Sequence, residues 1–240
     1  MSGKPLTILH LYPRDMNIYG DNGNVLVLKR RAEWRGYDVE LVNYNPGDTF
    51  PKNPDLIIGG GGQDSGQDKI QQDLLKIAPD LIRLAENNTP MLVICGLYQL
   101  FGKFFRTQDG HVIKGIGLLD VETVAGPERL IGNIITSSDD FGDIIGYENH
   151  SGQTYLGDSI QPLGTVIKGA GNNGHDDYEG ARYMNVIGSY LHGSLLPKNP
   201  AIADWLVRKA AEKKYGVFTD STVDDRFATL ARERALKRPR

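Results

Sequence analysis

The chain has 240 residues, 40% of them hydrophobic and 24% charged, and a formal net charge of -3. That balance suits one globular domain with a small appendage; it excludes a disordered chain and a general basic field for nucleic acid. The single cysteine, Cys95, excludes an intrachain disulfide and any cysteine-cluster zinc site. The first apolar stretch is too short for a signal-peptide core, and no window approaches the ~20 apolar residues of a membrane span. A cytoplasmic, non-inserted protein is the expectation.

The first half alternates strand-like and helix-like segments. Leu6 to Tyr12 is an apolar run ending in turn chemistry. Asn24 is a candidate cap for a helix with Val25, Leu28 and Ala32 on one face, closed by Gly36. Asp38 to Tyr44 alternates like a strand. Asp55 to Ile58 runs into four glycines, Gly59–Gly62. Residues 66–87 are helical in pattern, with Pro79 a candidate interruption. Met91 to Ile94 is a short buried-strand run that stops at Cys95. Short apolar strands separated by helices predict a parallel sheet covered on both faces.

The second half has more β character. Ile131 to Ser137, Ile144 to Glu148, Gly164 to Lys168 and Val186 to Leu191 are strand candidates between glycine turns. Asn199 and Pro200 open a helix that runs to Tyr215 and closes at Gly216. A charged tail follows, with Arg226, Arg232, Arg234, Lys237, Arg238 and Arg240, read as a solvated helix or a frayed end.

The segment MLVICGLYQLFG carries the most chemistry. A strand stops at Cys95 and Gly96 begins a helix. Such a turn lifts its middle side chain into the open at the carboxyl edge of a sheet. A helix start beside a thiol also favours the thiolate. Free cysteines are most often buried and inert, and it is this context that makes Cys95 a candidate nucleophile. A thiol nucleophile needs a base. Of His10, His111, His150, His175 and His192, the last stands at the end of an apolar run before a Gly/Pro turn, and His150 is its nearest rival. Glycines 59–62, at the end of a strand, are candidates for backbone N–H groups aimed at a developing oxyanion; without that placement they would read as a flexible loop.

These residues resemble a known family. ICGLYQLFG resembles the nucleophile motif of class I, triad-type glutamine amidotransferases, and YLHGSLLP their histidine segment. The match is closer to the cobyric acid synthase-like branch. It is closer still to the glutaminase subunit of lipid II isoglutaminyl synthase, through NIYGDNGN, IIGGGGQD, PERLIGN, GYENHSGQTY and YLHGSLLPKNP in one order. The resemblance runs from about residue 6 to 216. It implies an α/β, flavodoxin-like three-layer fold with a central, mostly parallel sheet and extra β strands in the second half. It divides the chain into an amidotransferase domain, 1–216, and a charged tail, 217–240.

By the same resemblance, Cys95 attacks the side-chain amide of L-glutamine to give a thioester and ammonia, and His192 shuttles protons. Gly60, Gly61 and the Gly96 backbone form the oxyanion hole, Gln99 helps hold the substrate, and Arg129 takes its α-carboxylate. Two departures stand out. Leu97 occupies a position where the broad class has glycine. The glutamate that follows the class histidine as x-Glu is missing from His192-Gly193-Ser194, which suggests a dyad completed by an acid on a partner.

The chain has no Walker A signature; GAGNNG (169–174) lacks the helix a dinucleotide site wants, and HDD (175–177) reads as solvated loop rather than metal site. No cofactor or metal is expected here. ATP and Mg belong on the implied partner, a Mur-ligase-like synthetase subunit in a heterodimer, through which lipid II is reached. Two other readings remain open at this stage: a corrin-amidating amidotransferase, and a non-catalytic binding module on the same fold.

Overall fold

The computed structural model describes residues 4–238; residues 1–3 and 239–240, including Arg240 of the tail, lie outside the described residues. The first sheet is built from β1 (Leu6–Leu11), β2 (Val39–Tyr44), β3 (Leu56–Gly59), β4 (Met91–Ile94), β11 (Ala181–Tyr183) and β12 (Val186–Ser189). Their order is β11-β12-β4-β3-β1-β2. All pairs are parallel except the edge pair β11–β12. Every residue of β3, β4 and β12 is buried, which is why these strands read as unbroken apolar runs.

Helices cover this sheet. The long α2 (Asp64–Glu86) and the short α3 (Gly96–Phe101) pack on each other; α1 (Asn22–Trp34) packs on α4 (Pro200–Tyr215), and α4 reaches β1 and β3. This is the expected three-layer α/β arrangement. Parallel strands all present their carboxyl ends at one edge. The chain therefore leaves β1, β3, β4 and β12 on the same side of the molecule, the side where open α/β sheets bind ligands.

The extra strands form a second sheet, β10-β9-β7-β5-β6, with β8 paired to β7. Its members are β5 (Phe104–Arg106), β6 (Val112–Lys114), β7 (Val121–Ser138), β8 (Gly142–Leu156), β9 (Gly164–Lys168) and β10 (Tyr178–Glu179). β7 and β8 make one long antiparallel hairpin whose register shifts between Ala125 and Leu130. The two shorter strands read from the sequence there are its ends nearest the turn. A bulge lets the pairing pass Gly126 and Pro127 without stopping.

Several local expectations change. α2 continues through Pro79, because its burial of Ile70, Leu74, Ile77, Leu81 and Leu84 along one face outweighs the lost backbone bond. Asn24 lies inside α1 rather than capping it; its side chain accepts from the Leu196 backbone at 2.8 Å. Asn199 precedes α4 without a side-chain cap; it brackets Ile145 instead, donating to the Ile145 carbonyl at 2.8 Å and accepting from its N–H at 2.9 Å. Gly36 and Gly216 do close their helices, at φ of 81° and 74°. The tail forms α5 (Arg226–Leu236), a helix with no buried residue.

Candidate active site

The turn at Cys95 has φ 51° and ψ -107°, a conformation an L residue adopts only under constraint. Sheet and helix supply it: the Cys95 N–H donates to Ser189 on β12 at 2.8 Å, and its carbonyl accepts from Gln99 in α3 at 2.9 Å. The side chain is 6% exposed at the carboxyl end of β4. β12 is the neighbour of β4, and three residues past its end lies His192, whose N–H donates to Tyr147 on β8 at 2.8 Å. β3 is the neighbour on the other side and ends in the glycine run.

Gly61 shows how closely these segments converge. A Cβ built there would lie 3.1 Å from Cys95 Cβ and 3.1 Å from His192 Cε1. The glycine run is therefore a requirement of the site rather than a loose loop. The Gly62 backbone nitrogen would lie 3.1 Å from a Cβ on Gly96, so this end of the glycine run stands against the elbow. The Gly61 N–H is committed: it donates to Asp21 Oδ2 at 2.7 Å.

Asp21 was missed in the sequence. It follows β1, is 3% exposed, and sets Oδ1 3.8 Å from Nδ1 of His192. So this chain does bring an acid to the imidazole, although the expected glutamate after His192 is absent. At 3.8 Å the contact is an ion pair rather than a hydrogen bond. His192 is buried, which disfavours its charged form. The neighbouring Cys95 thiolate and Asp21 carboxylate outweigh that and raise its pKa to about 10. The arrangement favours the imidazolium form of His192.

The remaining candidates surround one cavity of about 390 Å³, lined among others by Cys95, Gln99, Arg129 and His150. Arg129 sits at the β7 bulge. Its Nε donates to Asn149 Oδ1 at 3.1 Å and its Nη2 to the Tyr19 hydroxyl at 3.1 Å, which holds the guanidinium at the cavity wall. The Tyr19 ring in turn lies against His192, with centroids 4.4 Å apart. Gln99 is buried, and both of its amide atoms are engaged: Oε1 accepts from Gln67 at 2.9 Å and Nε2 donates to the Tyr190 hydroxyl at 3.0 Å.

Other sequence candidates fall away from the chemistry. His150 stacks on Tyr190 with 3.6 Å between centroids, and its Nδ1 bonds the Gly152 carbonyl at 2.6 Å. Burial lowers its pKa to about 3, so it is neutral and poorly suited to be the base. His111 lies on the surface beside Asp68. The N–H groups of Ala170 and Gly171 in GAGNNG cradle the Glu148 carboxylate at 2.9–3.0 Å, an internal anion where a nucleotide motif would hold phosphate. Asp176 in HDD bonds Asn173 and the Tyr178 backbone.

A family profile described as the CobB/CobQ-like glutamine amidotransferase domain matches residues 7–200. Two curated relatives carry the description lipid II isoglutaminyl synthase (glutamine-hydrolyzing) subunit GatD. The Staphylococcus aureus (strain N315) protein is 40% identical over 97% of this chain and 96% of its own length. The Streptococcus pneumoniae (strain ATCC BAA-255 / R6) protein is 41% identical over 88% of this chain and 82% of its own. A solved glutamine amidotransferase structure superposes with a TM-score of 0.57 at 14% identity, covering 85% of this chain and 98% of that one, a likeness of fold.

Proposed function

The chain belongs to the CobB/CobQ-like glutamine amidotransferase family, and from that premise we propose that it is the glutaminase subunit of a lipid II isoglutaminyl synthase. The observation that carries this reading is the convergence of Cys95 and His192 on Gly61, at a cavity lined by Cys95, Gly62 and Arg129.

In the proposed reaction the Cys95 thiolate attacks the carboxamide carbon of glutamine, whose α-carboxylate the Arg129 guanidinium takes. Charge develops on the carboxamide oxygen and is met by the backbone N–H groups of Gly62 and Gly96, the Gly61 N–H being held by Asp21. The His192 imidazolium gives its proton to the departing nitrogen, which leaves as ammonia. The neutral imidazole then takes a proton from water, which attacks the γ-glutamyl thioester and releases glutamate. Gln99, locked between Gln67 and Tyr190, acts by shaping the cavity wall.

Ammonia is delivered to a Mur-ligase-like synthetase subunit in a heterodimer. That partner holds ATP and Mg and activates the D-glutamate α-carboxylate of the lipid II stem peptide, which ammonia converts to D-isoglutamine. The relatives described as a subunit of a glutamine-hydrolyzing lipid II isoglutaminyl synthase support a partner subunit and lipid II amidation. The test is reconstitution. The chain and its copurifying partner should amidate lipid II with glutamine and ATP. Cys95→Ala should abolish glutamine-dependent amidation, and free ammonium should restore it. A Cys95→Ala complex that free ammonium leaves inactive would contradict ammonia transfer.

A further inference from the structure

The NIYGDNGN segment is the motif that the nucleophile, base and oxyanion assignments leave without a task. The structure places it in the loop after β1 and the first residues of α1, against the site from two sides. Tyr19 covers one face of the His192 ring and meets Arg129. Two residues on, Asp21 is buried beneath the glycine run, so that a Cβ on Gly60 would lie 2.7 Å from its carboxylate.

We propose that Asp21 is a positioning residue serving the oxyanion loop and the base together, with one carboxylate oxygen fixing the Gly61 N–H and the other orienting His192. The two oxygens are differently employed. Oδ2 takes the Gly61 N–H at 2.7 Å. Oδ1 is buried without a hydrogen-bond partner, and so is the Nδ1 of His192, 3.8 Å away. Each is the nearest complement of the other. A shift of about 1 Å makes a charge-assisted hydrogen bond once Nδ1 carries a proton. Holding the proton on Nδ1 leaves Nε2 as the nitrogen that exchanges protons with the thiol, the leaving amine and water.

Gly61 alone needs only a neutral acceptor, so an asparagine would serve it. A buried negative charge costs more than a buried amide, and the partner that offsets this cost is the His192 imidazolium. The groups facing His192 are Cys95 on the elbow, His150 from β8 and Tyr19 from the same loop as Asp21. His10 on β1 also faces Asp21 and is kept neutral by burial, its pKa lowered to about 4. His192 is therefore the cation that Asp21 answers.

This proposal rests on the glutaminase reading, and its test separates the two. The His192 imidazole is titrated by NMR in the full-length protein without glutamine, for wild type, Asp21→Asn and Asp21→Ala. Glutamine hydrolysis is followed in parallel across pH. Asp21→Asn keeps an acceptor for Gly61 and removes the charge. It should lower the His192 midpoint by ~1 pH unit or more, carry the alkaline limb of the rate profile down with it, and reduce kcat about tenfold or more with KM little changed. Asp21→Ala should add faster exchange of the Gly61 amide. If the alanine variant does not fold, the near-isosteric asparagine variant still decides. An unchanged His192 midpoint in Asp21→Asn overturns the proposal. A shifted midpoint in a protein that hydrolyses no glutamine keeps the positioning role and defeats the glutaminase reading instead.

Discussion

Gly60 illustrates how little freedom single residues have at this site. A Cβ there would stand 2.6 Å from the Met16 carbonyl and 2.7 Å from Asp21 Cβ, both held by the turn after β1. Gly60→Ala must push the glycine run off Asp21. It should lower stability by ~1–3 kcal/mol, the range for overpacking, and reduce glutamine hydrolysis more than the stability loss explains. Thermal unfolding and initial rates measured together check this. Buried histidines set a second expectation. His10 and His150 have pKa values lowered to about 4 and about 3 by burial. Below their unfolded value of ~6.5 the unfolded chain binds more protons, so they lower stability as pH falls from there. Glu179, raised to about 7 by burial, acts the other way: it binds its proton in the fold and favours the folded state below that value. Two histidines against one glutamate leave a net loss on acidification. The unfolding temperature should fall between pH 6.5 and 4.5, less steeply in His10→Gln.

Among the polar ties between elements, Arg31 joins three helices. It is 4% exposed on α1 and grips Asp204 of α4 through Nε at 2.5 Å and Nη2 at 2.7 Å. It also holds Asp225, at the start of α5, at 2.6 Å. Arg31→Leu takes this partner from Asp225 and leaves Asp204 to Arg35 alone, at 2.8 Å. Both carboxylates are about one-third exposed, so solvent softens the cost, to ~2–3 kcal/mol. Chemical denaturation should show that loss. The tail leans on the domain through Phe218 beside the Arg35 guanidinium and the Thr219 N–H on the Tyr37 hydroxyl. Deleting 217–240 should lower the unfolding temperature and leave a folded amidotransferase domain; an unfolded product would show that the tail belongs to that domain. What the sequence revealed of these elements follows their locality. The stop of β4 at Cys95 and the opening of α3 at Gly96 were legible because strand end, turn residue and helix start are adjacent in the chain. The β7–β8 hairpin was under-read because Gly126 and Pro127 look like breaks, whereas pairing resumes across the hairpin beyond them. Asp21 was not legible as a site residue. Its place beside His192 depends on where β1 and β12 fall in the sheet, and no local pattern encodes that.

At the scale of the whole molecule, one property of the sheet organises the chemistry. β12, β4 and β3 are neighbours and parallel, so base, nucleophile and oxyanion loop emerge side by side at one edge. The second sheet closes over that edge and brings Arg129 and Asn149 to the cavity. The site is suited to releasing ammonia from glutamine, and in the proposed pathway amide formation lies with the ATP-using partner. The central claim is that Cys95 is the nucleophile of a glutamine site. Its most direct measurement is mass spectrometry of the intact chain after treatment with a glutamine-analogue electrophile such as a diazoketone, with and without excess glutamine. The account predicts one adduct, mapped to Cys95 and suppressed by glutamine. A chain that stays unmodified, or a Cys95 adduct that glutamine does not suppress, would contradict it.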